Sequence, residues 1–234
     1  MKKRNSIRPA LALALTVLTP LPLLAAGSAT IKNGDDVSRM SWQDPQTVRT
    51  DTATEDAYMV LRDGKTYLVS TQVDSGMPPV MEVGDMVQGL ADALDEDGAL
   101  TSPSARTPRI ESVRKTGRTE TVAGIQGDVY DVTLVDDQGE TSHQSMVLTS
   151  DALATEMTAA YFAISGSIVG TERVAEFTDA LPARQRGLLR LGDDIVVQAI
   201  SSAAPAADTF ELPAEPVNFG PRGHHTTRRP DQRP

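Results

Sequence analysis

Thr119-Glu120-Thr121-Val122-Ala123-Gly124-Ile125-Gln126-Gly127-Asp128-Val129-Tyr130-Asp131-Val132-Thr133-Leu134 is the stretch on which the fold turns. From Asp128 onward it alternates. Tyr130, Val132 and Leu134 fall on one side, and Val129, Asp131 and Thr133 fall on the other, which is largely polar. A period of two with one polar side describes a strand with one face on a core and the other on water. Gly124 to Gly127 interrupts the run with turn residues, so the stretch reads as two strands joined by a short glycine-bounded turn.

The same grammar recurs on both sides of it. Ile31-Lys32 and Asp36 to Trp42 flank Asn33-Gly34, and Ala57 to Leu61 and Lys65 to Thr71 flank Asp63-Gly64. Both dipeptides tolerate the positive φ angles of tight hairpins. Thr116-Gly117, Asp136 to Gly139 and Gly192-Asp193 supply further turns. Met40 and Trp42 share one face of a strand, opposite Arg39 and Ser41. Asp194 to Ile200 is apolar nearly throughout, which predicts burial on both sides.

Helical spacing occurs three times. Met86, Leu90, Ala93 and Leu94 make a short stripe that ends in the acidic run Asp95-Glu96-Asp97. Leu153, Met157, Tyr161, Ile164 and Ile168 follow Ser150-Asp151, a pair suited to capping. Thr171 is placed to cap a third helix carrying Val174, Phe177 and Leu181, with Pro182 beyond its end. Leu100 to Pro108 is rich in Ser, Thr and Pro and predicts a surface loop. The fold class is therefore α+β: a curved antiparallel β-sheet packed on two or three α-helices.

The chain begins Met1-Lys2-Lys3-Arg4, with Arg8 soon after and no acid. Ala10 to Ala26 then runs apolar apart from Thr16 and Thr19. A basic start, an apolar middle and small residues at the end make a secretory signal. Small residues at both recognition positions place cleavage after Ala29, with Ala26 as the second choice. Pro20 and Pro22 fall where a membrane anchor would have to continue as helix. No later stretch is long and apolar enough to span a membrane, so the expected location is the periplasm or the exterior. Residues 1–29 are then signal peptide, 30–213 one domain and 214–234 a basic, disordered tail.

The chain contains no cysteine, so neither disulfides nor a lipid anchor on a cleavage-site cysteine enters the picture. The formal charge of −10 becomes −14 once the four basic residues of the signal are removed. Arg222, Arg228, Arg229 and Arg233 sit in the tail and leave the body more acidic still. Such a surface repels phosphate backbones, which excludes nucleic acid as a partner of the body.

Catalytic chemistry finds little material. Two of the three histidines, His224 and His225, lie in the tail. His143, beside Ser142 and Ser145, would have to serve any Ser-His-Asp site, yet no serine has a Gly-x-Ser-x-Gly surround. Paired carboxylates could be drawn from 32 acids, but 4% aromatic content offers few sugar platforms. Aligning Gly98 with the central glycine of a calcium loop puts Asp95 and Asp97 at ligand positions. It also puts Ala93 and Ser104 where Asp and Glu belong. No phosphate-cradling glycine loop occurs. The reading is a non-enzyme with no catalytic residues, no metal and no cofactor.

Four features carry a resemblance to a known group. They are the strand Val48 to Asp51 leading into the 57–61 and 63–69 hairpin, a helix following that hairpin, the strand pair 119–132, and the closing Asp208-Thr209-Phe210-Glu211-Leu212-Pro213. In this layout the chain resembles the exported half-open β-barrel domains of the lipoprotein carriers LolA and LolB. The resemblance implies a long antiparallel sheet curled around helices to leave an apolar cleft, holding an apolar small molecule or a lipoprotein. The methionines, which adapt to irregular apolar shapes, give the candidate lining Met40, Trp42, Met59, Tyr67, Met86, Met146 and Met157. The alternative is an envelope interaction or structural protein with a closed core, binding a protein partner through its acidic exterior or basic tail.

Overall fold

A computed structural model describes residues 26–51, 56–72, 78–84, 108–136 and 138–217. Within them the strands are β1 (Gly27–Asn33), β2 (Asp36–Asp44), β3 (Thr47–Asp51), β4 (Ala57–Arg62), β5 (Lys65–Ser70) and β6 (Val80–Glu82). A second series follows: β7 (Arg109–Val122), β8 (Ile125–Val135), β9 (Thr141–Thr149), β10 (Gly187–Leu191) and β11 (Ile195–Ser201). Helices α1 (Ala152–Val169) and α2 (Thr171–Ala180) are inserted between β9 and β10. A short 3₁₀ turn, Ala207–Phe210, follows β11.

The strands form one 11-stranded sheet ordered β6-β5-β4-β3-β2-β1-β11-β10-β9-β8-β7, every neighbouring pair antiparallel. Two meanders meet where β1 pairs with β11, Ala29 opposite Ile200 and Lys32 opposite Val196. Strands β6 and β7 follow one another among the described residues and occupy opposite edges. The turns explain most of the local pairing. Asp63 and Gly64 take φ of 53° and 74°, and Ala123 and Gly124 take 51° and 81°. Two successive left-handed residues give a turn whose twist matches that of the strands it joins.

Thr116-Gly117 does not turn the chain. The pairing jumps from Lys115↔Tyr130 to Thr119↔Asp128, which leaves Thr116, Gly117 and Arg118 as a bulge inside β7, with Gly117 at φ 80°. A bulge bends its strand and increases its twist. The bend has a long reach. In a flat sheet β7 and β11, four places apart, would stand about 19 Å from each other. Their Cα atoms instead come within 8 Å. Glu120 on β7 accepts two hydrogen bonds from Arg190 on β10, at 3.0 and 2.8 Å, across two intervening strands. The end of the sheet thus curls over itself and shuts Val122, Val129, Val147 and Leu189 inside.

The opposite face of the same strands meets the helices. Tyr130, Val132, Leu134, Met146, Leu148, Leu188 and Leu191 form one core with Leu181, Phe162 and Phe177. The Tyr130, Val132 and Leu134 face read from sequence is therefore a core face, and Val129 is buried as well because of the curl. Ala154, Met157, Ala160 and Ile164 of α1 cover Ile31, Met40, Trp42, Val48 and Leu61. A third, smaller core lies across the sheet from Leu61. There Val60, Tyr67, Val69 and Val80 are covered by Leu212.

Three expectations change. Strand β11 is not buried on both sides: Val197 is enclosed, while Gln198, Ala199 and Ser201 are exposed. Gly170, at φ 97°, occupies the N-cap of α2 without a side-chain bond, and Thr171 is the first helical residue. The chain also stays on the sheet beyond Pro213, because Val217 bridges Met81 in parallel and its N–H donates to Val80 at 3.1 Å. The helical stripe at Met86–Leu94, the acidic run that follows it, the loop before Pro108 and the remainder of the tail lie outside the described residues.

Gly127 faces β9 so closely that a Cβ there would stand 2.7 Å from Val147 Cγ1 and 2.8 Å from the Leu148 carbonyl oxygen. Backbone cannot step aside as a side-chain tip can. Gly127→Ala is expected to cost about 1–3 kcal/mol of stability, read as a lower urea midpoint at unchanged slope.

Candidate functional site

The site is set up by how α1 seats on β10. Asp151 caps the helix, its carboxylate accepting from the Ala154 N–H at 3.0 Å, as its sequence context predicts. One turn in, the buried Thr158 hydroxyl donates to the Ala154 carbonyl and accepts from the Leu188 N–H, both at 2.8 Å. This bond fixes α1 to the β10 backbone at Leu188, ahead of the Arg190 and Leu191 pairing with β11. Gly187 makes the approach possible, since a Cβ there would stand 3.0 Å from that of Ala154. Gly170 then reverses the chain, and α2 folds back on α1 with Phe162 and Phe177 edge to face, ring centroids 5.4 Å apart. Arg186 donates to the Thr178 carbonyl and ties the end of α2 to the start of β10.

Between these helices and the sheet lies a cleft of about 320 Å³. Leu134, Leu188, Leu191 and Ile195 form its sheet wall, and Phe162, Ile168, Val174 and Phe177 its helix wall. Asn33, Pro108, Tyr161, Ser165 and Arg173 complete the lining. Tyr161, Leu188 and Ile195 also border a void of only about 10 Å³ deeper in, reached by Ile31, Met157, Thr158 and Val197. Ile168 is one of the few large apolar side chains left exposed among the described residues, at 37%. The Tyr161 hydroxyl bonds to Ser165, and burial pushes its phenol above the ordinary tyrosine range. It therefore stays neutral there.

A second polar cluster lies outside the cleft. Lys115 donates to Asp128 at 2.7 Å, and Gln185 also donates to Asp128 while accepting from the Tyr130 hydroxyl. The Lys115 ammonium, and then the Gln185 amide, hold the Asp128 carboxyl below the usual carboxylate range. This cluster pins the connection between α2 and β10 to β8, and its groups are engaged with one another.

The residues singled out from sequence are placed elsewhere. Met40, Trp42 and Met157 are enclosed in the core under α1, with Met59 packed at its edge. Met146 is enclosed in the core under α2, and Tyr67 lies in the small core on the opposite face. Met86 falls outside the described residues. Of these side chains only Met157 reaches the edge of the site, at the inner void. His143 is exposed on β9, its Nδ1 3.3 Å from Thr133 Oγ1. Among the described residues no three His, Cys, Asp or Glu side chains gather as metal ligands, and no helix is long and apolar enough to cross a membrane. Neither a protein-family model, a curated protein nor a solved structure matches this chain.

The helix residues that line the cleft were visible as a stripe: Tyr161, Ile168, Val174 and Phe177 all stand in the apolar spacing of the two helices. What the spacing could not tell is that these positions face a gap and not a filled core. Thr158→Val keeps the shape of the anchor but leaves the buried Leu188 N–H without a partner. That variant is expected to lose about 1–3 kcal/mol of stability, measured by chemical denaturation against the parent chain.

Proposed function

We propose that the protein is an exported, non-catalytic binding protein that holds an apolar ligand between α1, α2 and the sheet. The observation that carries this reading is the cleft itself. Its volume of about 320 Å³ falls within the ~300–1,000 Å³ of small-molecule sites, and such sites share its make-up of mostly apolar walls with few polar groups. Each methylene of a guest chain buried there gains about 0.8 kcal/mol, so affinity rises roughly fourfold per methylene until the cleft is full. A half-open barrel of the LolA and LolB kind is the architecture we assign, supported by the bulge at Thr116–Arg118 and the approach of β7 to β11.

Export with removal of the signal belongs to the same proposal. Of the two cleavage positions, Ala26 suits the sheet better. β1 begins at Gly27, where a Cβ would stand 2.6 Å from both the Ser201 carbonyl oxygen and the Trp42 ring. Ala29 is buried and paired with Met40 on one side and Ile200 on the other. Cutting after Ala29 would remove the start of a central strand. Protein purified from an envelope fraction is expected to begin at Gly27 in its intact mass; a mass beginning at Thr30 would count against this assignment.

The competing reading is an envelope interaction protein with no small-molecule ligand. It is favoured by the complete burial of Trp42, Met40 and Met146, which leaves most of the sheet without room for a guest. One substitution separates the two. Val174→Phe places a ring in the cleft from a half-buried helix position without touching the enclosed cores. It is expected to weaken binding of a saturated acyl chain about tenfold or more, in keeping with several methylenes displaced, with the circular dichroism spectrum unchanged. Equal binding by both proteins would remove the cleft as the ligand site. A native mass spectrum of the gently purified protein with no bound mass, together with no binding of added acyl chains, would favour the interaction protein.

A further inference from the structure

We infer that the cleft selects single-chain amphiphiles with a monoanionic head, a carboxylate of the fatty-acid class, and that Arg173 is the residue that reads the head. This rests on the cleft being a ligand site, and it goes further by naming what the site prefers. Arg173 is the charged member of a lining that is otherwise apolar or neutral. Its side chain is 33% exposed, so the guanidinium is neither sealed in the core nor free in solvent.

The present partner of Arg173 is a weak competitor. Glu176 stands one turn further along the same helix, with a single contact of 3.2 Å and a side chain 58% exposed. Exposed pairs at this spacing contribute little. Glu176 does not belong to the cleft lining, so its contact leaves guanidinium N–H donors for another acceptor. A guanidinium presents its donors in a fixed fork that matches a carboxylate with two parallel bonds. With Glu176 already near, the rim can balance one added negative charge better than two. A monoanionic head therefore suits it better than a dianionic phosphate.

The position of Arg173 also sets the direction of the guest. Ile168 on α1 and Val174 and Phe177 on α2 flank it with apolar surface, and the sheet wall at Leu188 and Ile195 leads to the small inner void. A chain whose head rests on Arg173 has its tail directed between the two helices and the sheet. The formal charge of −14 left once the four basic residues of the signal are removed makes the rest of the protein repel anions. A single cation on an apolar cleft is then a selective feature.

The test uses the protein from Gly27 onward and one saturated chain with three heads: dodecanoate, dodecanol and dodecylammonium, titrated calorimetrically below their self-association limits at a pH where the acid is ionised. The parent is expected to bind dodecanoate about tenfold more tightly than dodecanol, the scale of a charge-assisted pair on a partly exposed site, with dodecylammonium weakest. Arg173→Gln should bring dodecanoate down to the level of dodecanol and leave dodecanol unchanged. Arg173→Lys should keep part of the preference, and Glu176→Gln should raise dodecanoate affinity by a small factor. Thermal unfolding of each variant checks that the fold is retained. An unaltered acid preference in Arg173→Gln, or no preference in the parent, overturns the role of Arg173 while leaving the cleft as the binding site. If the parent binds none of the three chains, the cleft reading falls as well.

Discussion

Everything in this fold depends on the ladder between β1 and β11. It is the seam where the N-terminal meander, β1 to β6, joins the C-terminal meander, β7 to β11. Without it each half would expose the edge of a sheet that is already buried on one face, and α1 would lose half of what it covers. The helix packs on Ile31, Met40 and Trp42 from the first half and is bonded to Leu188 of β10 from the second. The seam is also where tolerance is smallest, because Gly27 has no room for a side chain between Ser201 and Trp42. Backbone pairing, close packing and the position of the helix are thus fixed by one set of contacts.

The edges of so long a sheet are a hazard, since unpaired N–H and C=O groups invite another strand. Both are dealt with. β6 is only three residues long and is flanked by the bridge from Val217. β7 is long, but its bulge bends it, its final residues turn in toward β11, and Arg109, Arg114, Lys115 and Arg118 stud it with positive charge. The same bulge that protects the edge produces the curl, and the curl buries Val129 on the face of β8 that alternation alone would leave to solvent.

Much of the strand architecture was legible because hairpin turns have chemical signatures. Asn33-Gly34, Asp63-Gly64 and Gly192-Asp193 each mark a real reversal, and the alternation after Asp128 identifies a true core face. Asp151 as a cap and the stripe Leu153 to Ile168 identify α1 down to its start. Thr116-Gly117 misleads because a glycine at positive φ serves a bulge as readily as a turn, and local sequence does not distinguish them. β11 misleads because an apolar strand needs a neighbour on each face to be buried, and the curl supplies one over only part of its length. The candidate site was less legible still. Methionines and Trp42 are suited to lining a cavity, but the same softness and bulk suit them to filling a core, and this is where the chain puts them. The apolar residues around the cleft are mostly ordinary leucines, isoleucines and phenylalanines, set apart only by facing a gap between the two helices and the sheet.

The ladder between β1 and β11 also sets an order of events. Ser28 must find Ser201 across nearly the whole described length of the chain. Closing so large a loop costs conformational entropy before its contacts repay any of it, which slows folding. A chain made N-terminus first therefore carries β1 with one neighbour at most until its last strand arrives. Until then Ala29 and Ile31 have nothing to seal their second flank. The sheet is therefore complete only when the last strand to be made joins the first.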